Sequence, residues 1–191
     1  MSRYQSPISI PNILTLLRIL LTPLFVILLL GEDYNLALII FILAGLSDGL
    51  DGLIARYLNQ RTAIGAYLDP VADKLLLVSA YIGLAVLNVI PDWVAVIVIS
   101  RDVIISLGIA VFTMTEKTYE VRPSLISKFT TTAQILTVIL ALFDPDQSRL
   151  AIIHLPVLWA TSAVTIISGL HYIYIGMGIL QEPNGNNKKQ N

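Results

Sequence analysis

The chain has no cysteine among its 191 residues. Disulfides, cysteine-ligated zinc and thiol catalysis are therefore excluded, and cysteine usage says nothing about compartment. Charge is the second scarcity. Asp, Glu, Lys and Arg make up 13% of the residues, against roughly 25% in ordinary globular domains. The net charge is -1, without the basic patch that a nucleic-acid partner requires, so no nucleic acid is expected. No internal repeat or second domain is visible. Residues 1–191 read as a single membrane domain with a polar tail from about Gln181. In place of charge stand aliphatic residues: 55% of the chain is hydrophobic and its mean hydropathy is +0.77, the composition of an integral membrane protein embedded in lipid. The first apolar run lacks a small-x-small cleavage pattern and carries Arg18 and Pro23, so it reads as a retained helix rather than a signal peptide.

A spanning helix needs about 20 apolar residues. Six stretches qualify, which gives an all-α integral membrane protein of six transmembrane helices behind a short N-terminal interfacial segment (Ile8, Ile10, Pro11). The expected spans run from about Asn12 to Leu30, Asn35 to Arg56, Pro70 to Ile90, Pro91 to Met114, Ser124 or Ile126 to Phe143, and Leu155 to Leu180. Basic residues set the orientation. Arg3, Arg56, Arg61, Lys74, Lys117, Arg122, Lys128, Lys188 and Lys189 fall on one side. Glu32, Asp33, Asp92, Asp144 and Asp146 fall on the other, with Arg149 alone basic. Both termini are thus expected in the cytoplasm, and the membrane is expected to be a bacterial inner (plasma) membrane.

One stretch departs from the aliphatic background. Asp48, Asp51, Asp69 and Asp73 lie within 26 residues, at the cytoplasmic ends of the second and third spans. On a helix, Asp48, Asp51, Gly52, Ala55 and Arg56 fall within an arc of roughly 140°. Gly52 and Ala55 leave room on that face for a ligand. Asp69 and Pro70 suit the cap and first residue of the next helix, on which Asp69 and Asp73 share a face. Carboxylates gathered at one helix-end cleft make a hard-oxygen site for Mg²⁺ or Mn²⁺. Two such ions would clamp a diphosphate and position an attacking hydroxyl, and a carboxylate could take the hydroxyl proton. The bland alternative is a juxtamembrane turn whose acids pair with Arg56, Arg61 and Lys74.

These residues resemble the signature of the CDP-alcohol phosphatidyltransferases, D-x2-D-G-x2-A-R-x8-G-x3-D-x3-D. Asp48, Asp51, Gly52, Ala55, Arg56, Gly65, Asp69 and Asp73 meet it without departure, and the six-span layout extends the resemblance to nearly the whole chain. The resemblance implies that CDP-diacylglycerol donates its phosphatidyl group to an alcohol and that CMP is released. It implies Asp48, Asp51 and Asp69 as metal ligands, with Asp73 as general base and a ligand of the second metal. Gly52 and Ala55 would border the cytidine, Arg56 would contact the diphosphate, and Gly65 would shape the loop over the nucleotide. The segment Pro11 to Arg18 also looks like the family's start. There Asn12 and Thr15 would reach the diphosphate, and Arg18 would either bind acceptor or pair with an acid of the site. A homodimer is likewise implied.

Two acceptors compete within the family: glycerol-3-phosphate, giving phosphatidylglycerophosphate, and phosphatidylglycerol, giving cardiolipin. Synthases using the first typically carry a second arginine about two turns after the first. Here Leu107-Gly108-Ile109 offers no cation. The stretches around Arg101 and Lys128 look more like the cardiolipin-synthase type, with Arg101, Lys128 and Arg18 as acceptor-binding residues, although Arg101 could simply neutralise Asp102. Phosphatidylglycerol is the expected acceptor. The polar stripe Thr161, Thr165, Ser168 and His171 reads as helix packing, and His154 as an outer-surface residue without a role. A different class, a cation transporter using the four acids, would want acids near mid-membrane and repeat symmetry. An intramembrane prenyltransferase would keep its two Asp motifs far apart.

Overall fold

The structure, a computed structural model, describes residues 10–58, 63–114, 125–148 and 150–181. Of residues 10–14, 48–58, 63–73, 109–114, 125, 151 and 179–181 only the helical backbone is described. The described chain forms six helices: α1 Ile10–Leu30, α2 Tyr34–Leu58, α3 Ala63–Val86, α4 Asp92–Met114, α5 Leu125–Phe143 and α6 Ala151–Gln181. No strand occurs among the described residues.

Three tight turns join the helices at one end. At the first, Glu32 takes a left-handed conformation (φ 59°), and Asp33 N–H bonds back to Leu28 O at 3.0 Å. The Asp33 carboxylate then accepts the Leu36 N–H at 3.4 Å, an N-cap for α2. At the second, Asn88 is left-handed (φ 57°), and Pro91 precedes Asp92, whose acid suits the positive end of α4. At the third, Asp144 organises the chain: its carboxylate accepts Ser148 N–H at 3.1 Å and Leu150 N–H at 2.7 Å. The Gln147 side chain donates to Val89 O at 3.1 Å, tying the second and third turns together.

The core lies where α1, α2, α3 and α4 meet, around Phe25, Leu29, Phe41, Leu77, Tyr81, Leu84, Val94 and Val98. Phe25 and Phe41 stack at 5.6 Å between α1 and α2. On the other side, α5 and α6 are held by polar pairs. The Thr137 and Thr161 hydroxyls are 2.8 Å apart, and Gln134 donates to Thr165 Oγ1 at 3.2 Å. Tyr81 donates to Gln134 O at 3.1 Å, linking α3 to the same seam. Of the stripe on α6, Thr161 and Thr165 form the packing seam with α5, while Ser168 meets Arg101 of α4.

Polarity is distributed inside out. Thr15, Arg18, Arg101, Asp102, Gln134, Thr161 and Ser168 are buried, whereas Leu20, Ile27, Ile39, Val96, Leu136, Ile166 and Leu170 are exposed. That pattern suits lipid surroundings, where aliphatic side chains need no burial and polar ones must find partners inside. Among the described residues, Ile126–Phe143 and Ile152–Gly178 are long and apolar enough to cross a membrane on their own. Thr15–Leu30, Tyr34–Ser47 and Lys74–Val86 are shorter apolar runs.

Three expectations are corrected. Helix α3 begins at Ala63, not Pro70, so Asp69 and Pro70 lie inside a helix rather than at its cap. The Asp-Pro pair imitates a helix start, but the residues before it, Ala63 to Leu68, themselves continue the helix. Helix α6 begins at Ala151 and carries Pro156 as its sixth residue, a position at which proline forgoes a hydrogen bond to the carbonyl one turn earlier. His154, in the first turn of α6, is buried, 3% exposed, with Nε2 3.6 Å from Asp144 Oδ2, so it packs against the turn before α6.

Helices α1 and α3 approach closely at Gly83, where an added Cβ would lie 2.5 Å from Leu29 Cδ2. Leu29 is fully buried and has no space to yield. Gly83→Val is expected to destabilise the fold by about 1–3 kcal/mol through overpacking. Gly108→Ala, where nothing lies within 4 Å, should be neutral or stabilising; thermal denaturation in detergent separates the two.

Candidate active site

The motif occupies two helix ends separated by residues 59–62. Asp48, Asp51, Gly52, Ala55 and Arg56 lie in the last three turns of α2; Gly65, Asp69 and Asp73 lie in the first three of α3. Counting from the connection at 1.5 Å per residue, Asp48 and Asp73 are each about 15 Å along their helices, and Asp51 and Asp69 about 9–11 Å. The four acids therefore come at two matched depths. Their side chains, with those of Gly52, Ala55, Arg56, Gly65 and Asn12, lie outside the described residues, and so does Arg61. Among the described residues no cluster of three or more metal-ligating side chains occurs.

Where the side-chain description resumes, the helices enclose a cavity of about 620 Å³. Its walls are Phe41, Ile42 and Leu46 of α2, Leu76 and Leu77 of α3, and Ile135 and Ile139 of α5. Its polar groups include Arg18, Lys74, Arg101, Asp102, Ser127 and Gln134. Lys74 directly follows Asp73, so the cavity begins where the motif ends.

Arg101 is the best-defined cation in it. Nη1 donates to Asp102 Oδ1 at 2.7 Å, and Nη2 donates to Ser127 Oγ at 2.7 Å and Ser168 Oγ at 3.2 Å. Neighbouring side chains on a helix normally diverge by about 100°; the long arginine folds back across that angle to reach Asp102. One guanidinium thus fastens α4 to α5 and α6. Gly169 of α6 lies beside the arginine stem, where an added Cβ would be 3.6 Å from Arg101 Cγ, an ordinary contact. Lys74 Nζ is 3.3 Å from Asp102 Oδ1 and donates to Asp102 O at 3.3 Å.

Of the expected acceptor residues, the structure brings Arg18 and Arg101 to one cavity and leaves Lys128 apart. Lys128 is exposed on α5 and does not line the cavity. Thr15 is buried, 1% exposed, one turn before Arg18 on α1. Sequence reasoning missed the pairing of Lys74 with Asp102. The two are 28 residues apart, and only the unusual placement of an acid inside an apolar helix pointed to it.

Comparison with known proteins agrees with the motif. The family model for CDP-alcohol phosphatidyltransferases matches residues 8–167. A cardiolipin synthase (CMP-forming) from Rattus norvegicus is 36% identical over 201 residues, covering 96% of this chain and 67% of its own length. The Homo sapiens protein of the same name is 36% identical, covering 94% of this chain and 65% of its own length. The chain thus spans about two thirds of these relatives. A CDP-diacylglycerol--glycerol-3-phosphate 3-phosphatidyltransferase from Wigglesworthia glossinidia brevipalpis is 37% identical over 88% of this chain and 94% of its own. The chain belongs to the CDP-alcohol phosphatidyltransferase family, a class of membrane-bound enzymes that use divalent metal ions.

Arg101 and Asp102 are both nearly buried, each with a side chain 7% exposed. Removing Asp102 leaves Arg101 uncompensated, whereas removing Arg101 leaves Asp102 its contact with Lys74. Asp102→Ala should destabilise by about 3–5 kcal/mol, Arg101→Ala by less, and the double variant by clearly less than their sum. Equilibrium unfolding of the three variants measures this coupling.

Proposed function

We propose that this phosphatidyltransferase passes the phosphatidyl group of CDP-diacylglycerol to phosphatidylglycerol, releasing CMP and forming cardiolipin. What carries the reading is the eight-position motif on two helix ends, with its four acids at matched depths beside a cation-bearing cavity. In the transfer, a glycerol hydroxyl of the acceptor attacks the phosphatidyl phosphorus. The bond from that phosphorus to the CMP oxygen breaks, and the hydroxyl proton passes to Asp73.

Asp48, Asp51 and Asp69 would hold the metal, with Asp73 at the second ion. Carboxylate oxygens are the donors that Mg²⁺ or Mn²⁺ prefers. Two bound ions would neutralise the diphosphate and stabilise the leaving phosphate. Gly52 and Ala55 border the cytidine, Gly65 shapes the chain over it, and Arg56, Asn12 and Thr15 address the diphosphate. Arg18 and Arg101, both in the cavity wall, attract the acceptor's phosphate; Lys128 lies outside the cavity and is left out of that role.

The cavity supports a lipid acceptor. At about 620 Å³ it lies within the usual range of ligand sites, roughly 300–1,000 Å³. It is polar where α3, α4 and α5 meet and apolar at Phe41, Leu77 and Ile139, as a phosphate bearing acyl chains requires. The cardiolipin synthase relatives favour the same acceptor. Glycerol-3-phosphate is the second reading, favoured by the Wigglesworthia relative.

All six helices are assigned to the membrane, because each carries large exposed apolar side chains. The three turns bearing Asp33, Asp92 and Asp144 share the side opposite the motif, and the lysine- and arginine-rich segments share the motif's side. In a bacterial inner membrane that side is the cytoplasm, where CDP-activated lipid is made. A second copy of the chain completes a homodimer through the exposed apolar faces.

Purified protein given CDP-diacylglycerol with either acceptor should form cardiolipin from phosphatidylglycerol. Phosphatidylglycerophosphate as the product would establish the second reading. Asp73→Asn should lower turnover by about 10²–10⁴ with an unchanged unfolding midpoint; near-normal turnover would remove Asp73 as the base. Excess chelator should abolish CMP release and added Mg²⁺ or Mn²⁺ restore it.

A further inference from the structure

Two cations converge on one buried carboxylate in the cavity wall. Asp102 Oδ1 accepts Arg101 Nη1 at 2.7 Å and lies 3.3 Å from Lys74 Nζ. The lysine is 37% exposed in its side chain, and the aspartate and arginine are 7% exposed. Asp102 neutralises one of the two cations, so the trio keeps an excess of one positive charge. That excess matches the single negative charge of a phosphodiester.

The arginine is held but not saturated. Ser127 and Ser168 fix Nη2, and Asp102 fixes Nη1. Nε is buried and has no hydrogen-bond partner among the described residues. Arg101 lines the cavity, and Nη1, which gives one N–H to Asp102, keeps a second N–H that can address a ligand anion. Lys74 supplies the second half of the arrangement. It follows Asp73 directly on α3, so whatever fixes Lys74 also fixes its cation relative to the base.

We propose that Asp102 is the positioning residue of the acceptor site: it holds Lys74 and Arg101 together on one cavity wall, as a seat for the phosphodiester of a glycerol lipid. Through Lys74 it also sets the distance of that seat from Asp73. Asp102 touches no reacting atom and acts only through the two cations. The proposal deepens the reading of the chain as a phosphatidylglycerol-using transferase and rests on it.

The test is steady-state kinetics of the full chain in mixed micelles, with phosphatidylglycerol and CDP-diacylglycerol varied separately and CMP release as the readout. Asp102→Asn keeps the shape but frees both cations. It should raise KM for phosphatidylglycerol about tenfold or more, because the two cations lose the carboxylate that holds their spacing even though their summed charge rises. The kcat at saturating acceptor and KM for CDP-diacylglycerol should stay near wild type. Lys74→Gln, at a half-exposed position the fold tolerates, should move KM for phosphatidylglycerol the same way, and Lys74→Arg should bring it back. An unchanged KM for phosphatidylglycerol in both Asp102→Asn and Lys74→Gln overturns the proposal. So does a parallel fall in kcat and unfolding midpoint with no selective rise in that KM. If the wild-type protein uses only glycerol-3-phosphate, the acceptor reading fails, and KM for glycerol-3-phosphate in the same variants then decides the role of Asp102 separately.

Discussion

A charge taken into aliphatic surroundings has to be met by another group, and this constraint governs the bundle. Arg101, Asp102 and Lys74 answer it by meeting one another, at 2.7 and 3.3 Å. Ser127 and Ser168 complete the arginine. The consequence is structural as well as electrostatic. Because the partners stand on α3, α4, α5 and α6, satisfying one guanidinium and one carboxylate orients four helices around a single cavity. Threonines and Gln134 extend the same logic along the α5–α6 seam. There, hydrogen bonds supply the orientation that apolar contacts cannot, since lipid competes equally for an aliphatic face.

The same constraint explains where the chemistry sits. Four aspartates could not be carried deep into such a bundle without compensation. They stand instead in the last turns of α2 and the first turns of α3, within reach of the polar connection. A divalent cation is the compact way to compensate several carboxylates at once, and it brings with it an affinity for a diphosphate. On the proposed reading, the cavity beyond the motif would receive the acceptor from within the membrane, with the nucleotide at the surface and the hydroxyl and phosphorus meeting near Asp73.

Much of this was legible in the chain. Long aliphatic runs broken by Gly31-Glu32-Asp33, Pro91 and Asp144-Pro145 marked the helices and turns, because each break has a local cause in capping or proline chemistry. Helical spacing made Asp48, Asp51, Gly52, Ala55 and Arg56 legible as one face and Asp69 with Asp73 as another, while Gly65 was legible only through the family resemblance. Local pattern failed where longer-range packing decides. Asp69-Pro70 looks like a helix start, yet α3 begins seven residues before Pro70, at Ala63. His154 looked peripheral, but its burial comes from the turn that Asp144 builds. The bridge from Lys74 to Asp102 spans 28 residues and leaves no periodic trace; Arg101 and Asp102 were visible only as charges out of place.

The central claim is that the α2 and α3 helix ends together form one divalent-metal site. Titration of the purified, metal-free protein with Mn²⁺, followed by electron paramagnetic resonance, tests it without reference to any acceptor. The account predicts saturable Mn²⁺ binding that weakens strongly when either Asp51, on α2, or Asp69, on α3, is changed to Asn. Binding that survives both substitutions, or no binding at all, would contradict it.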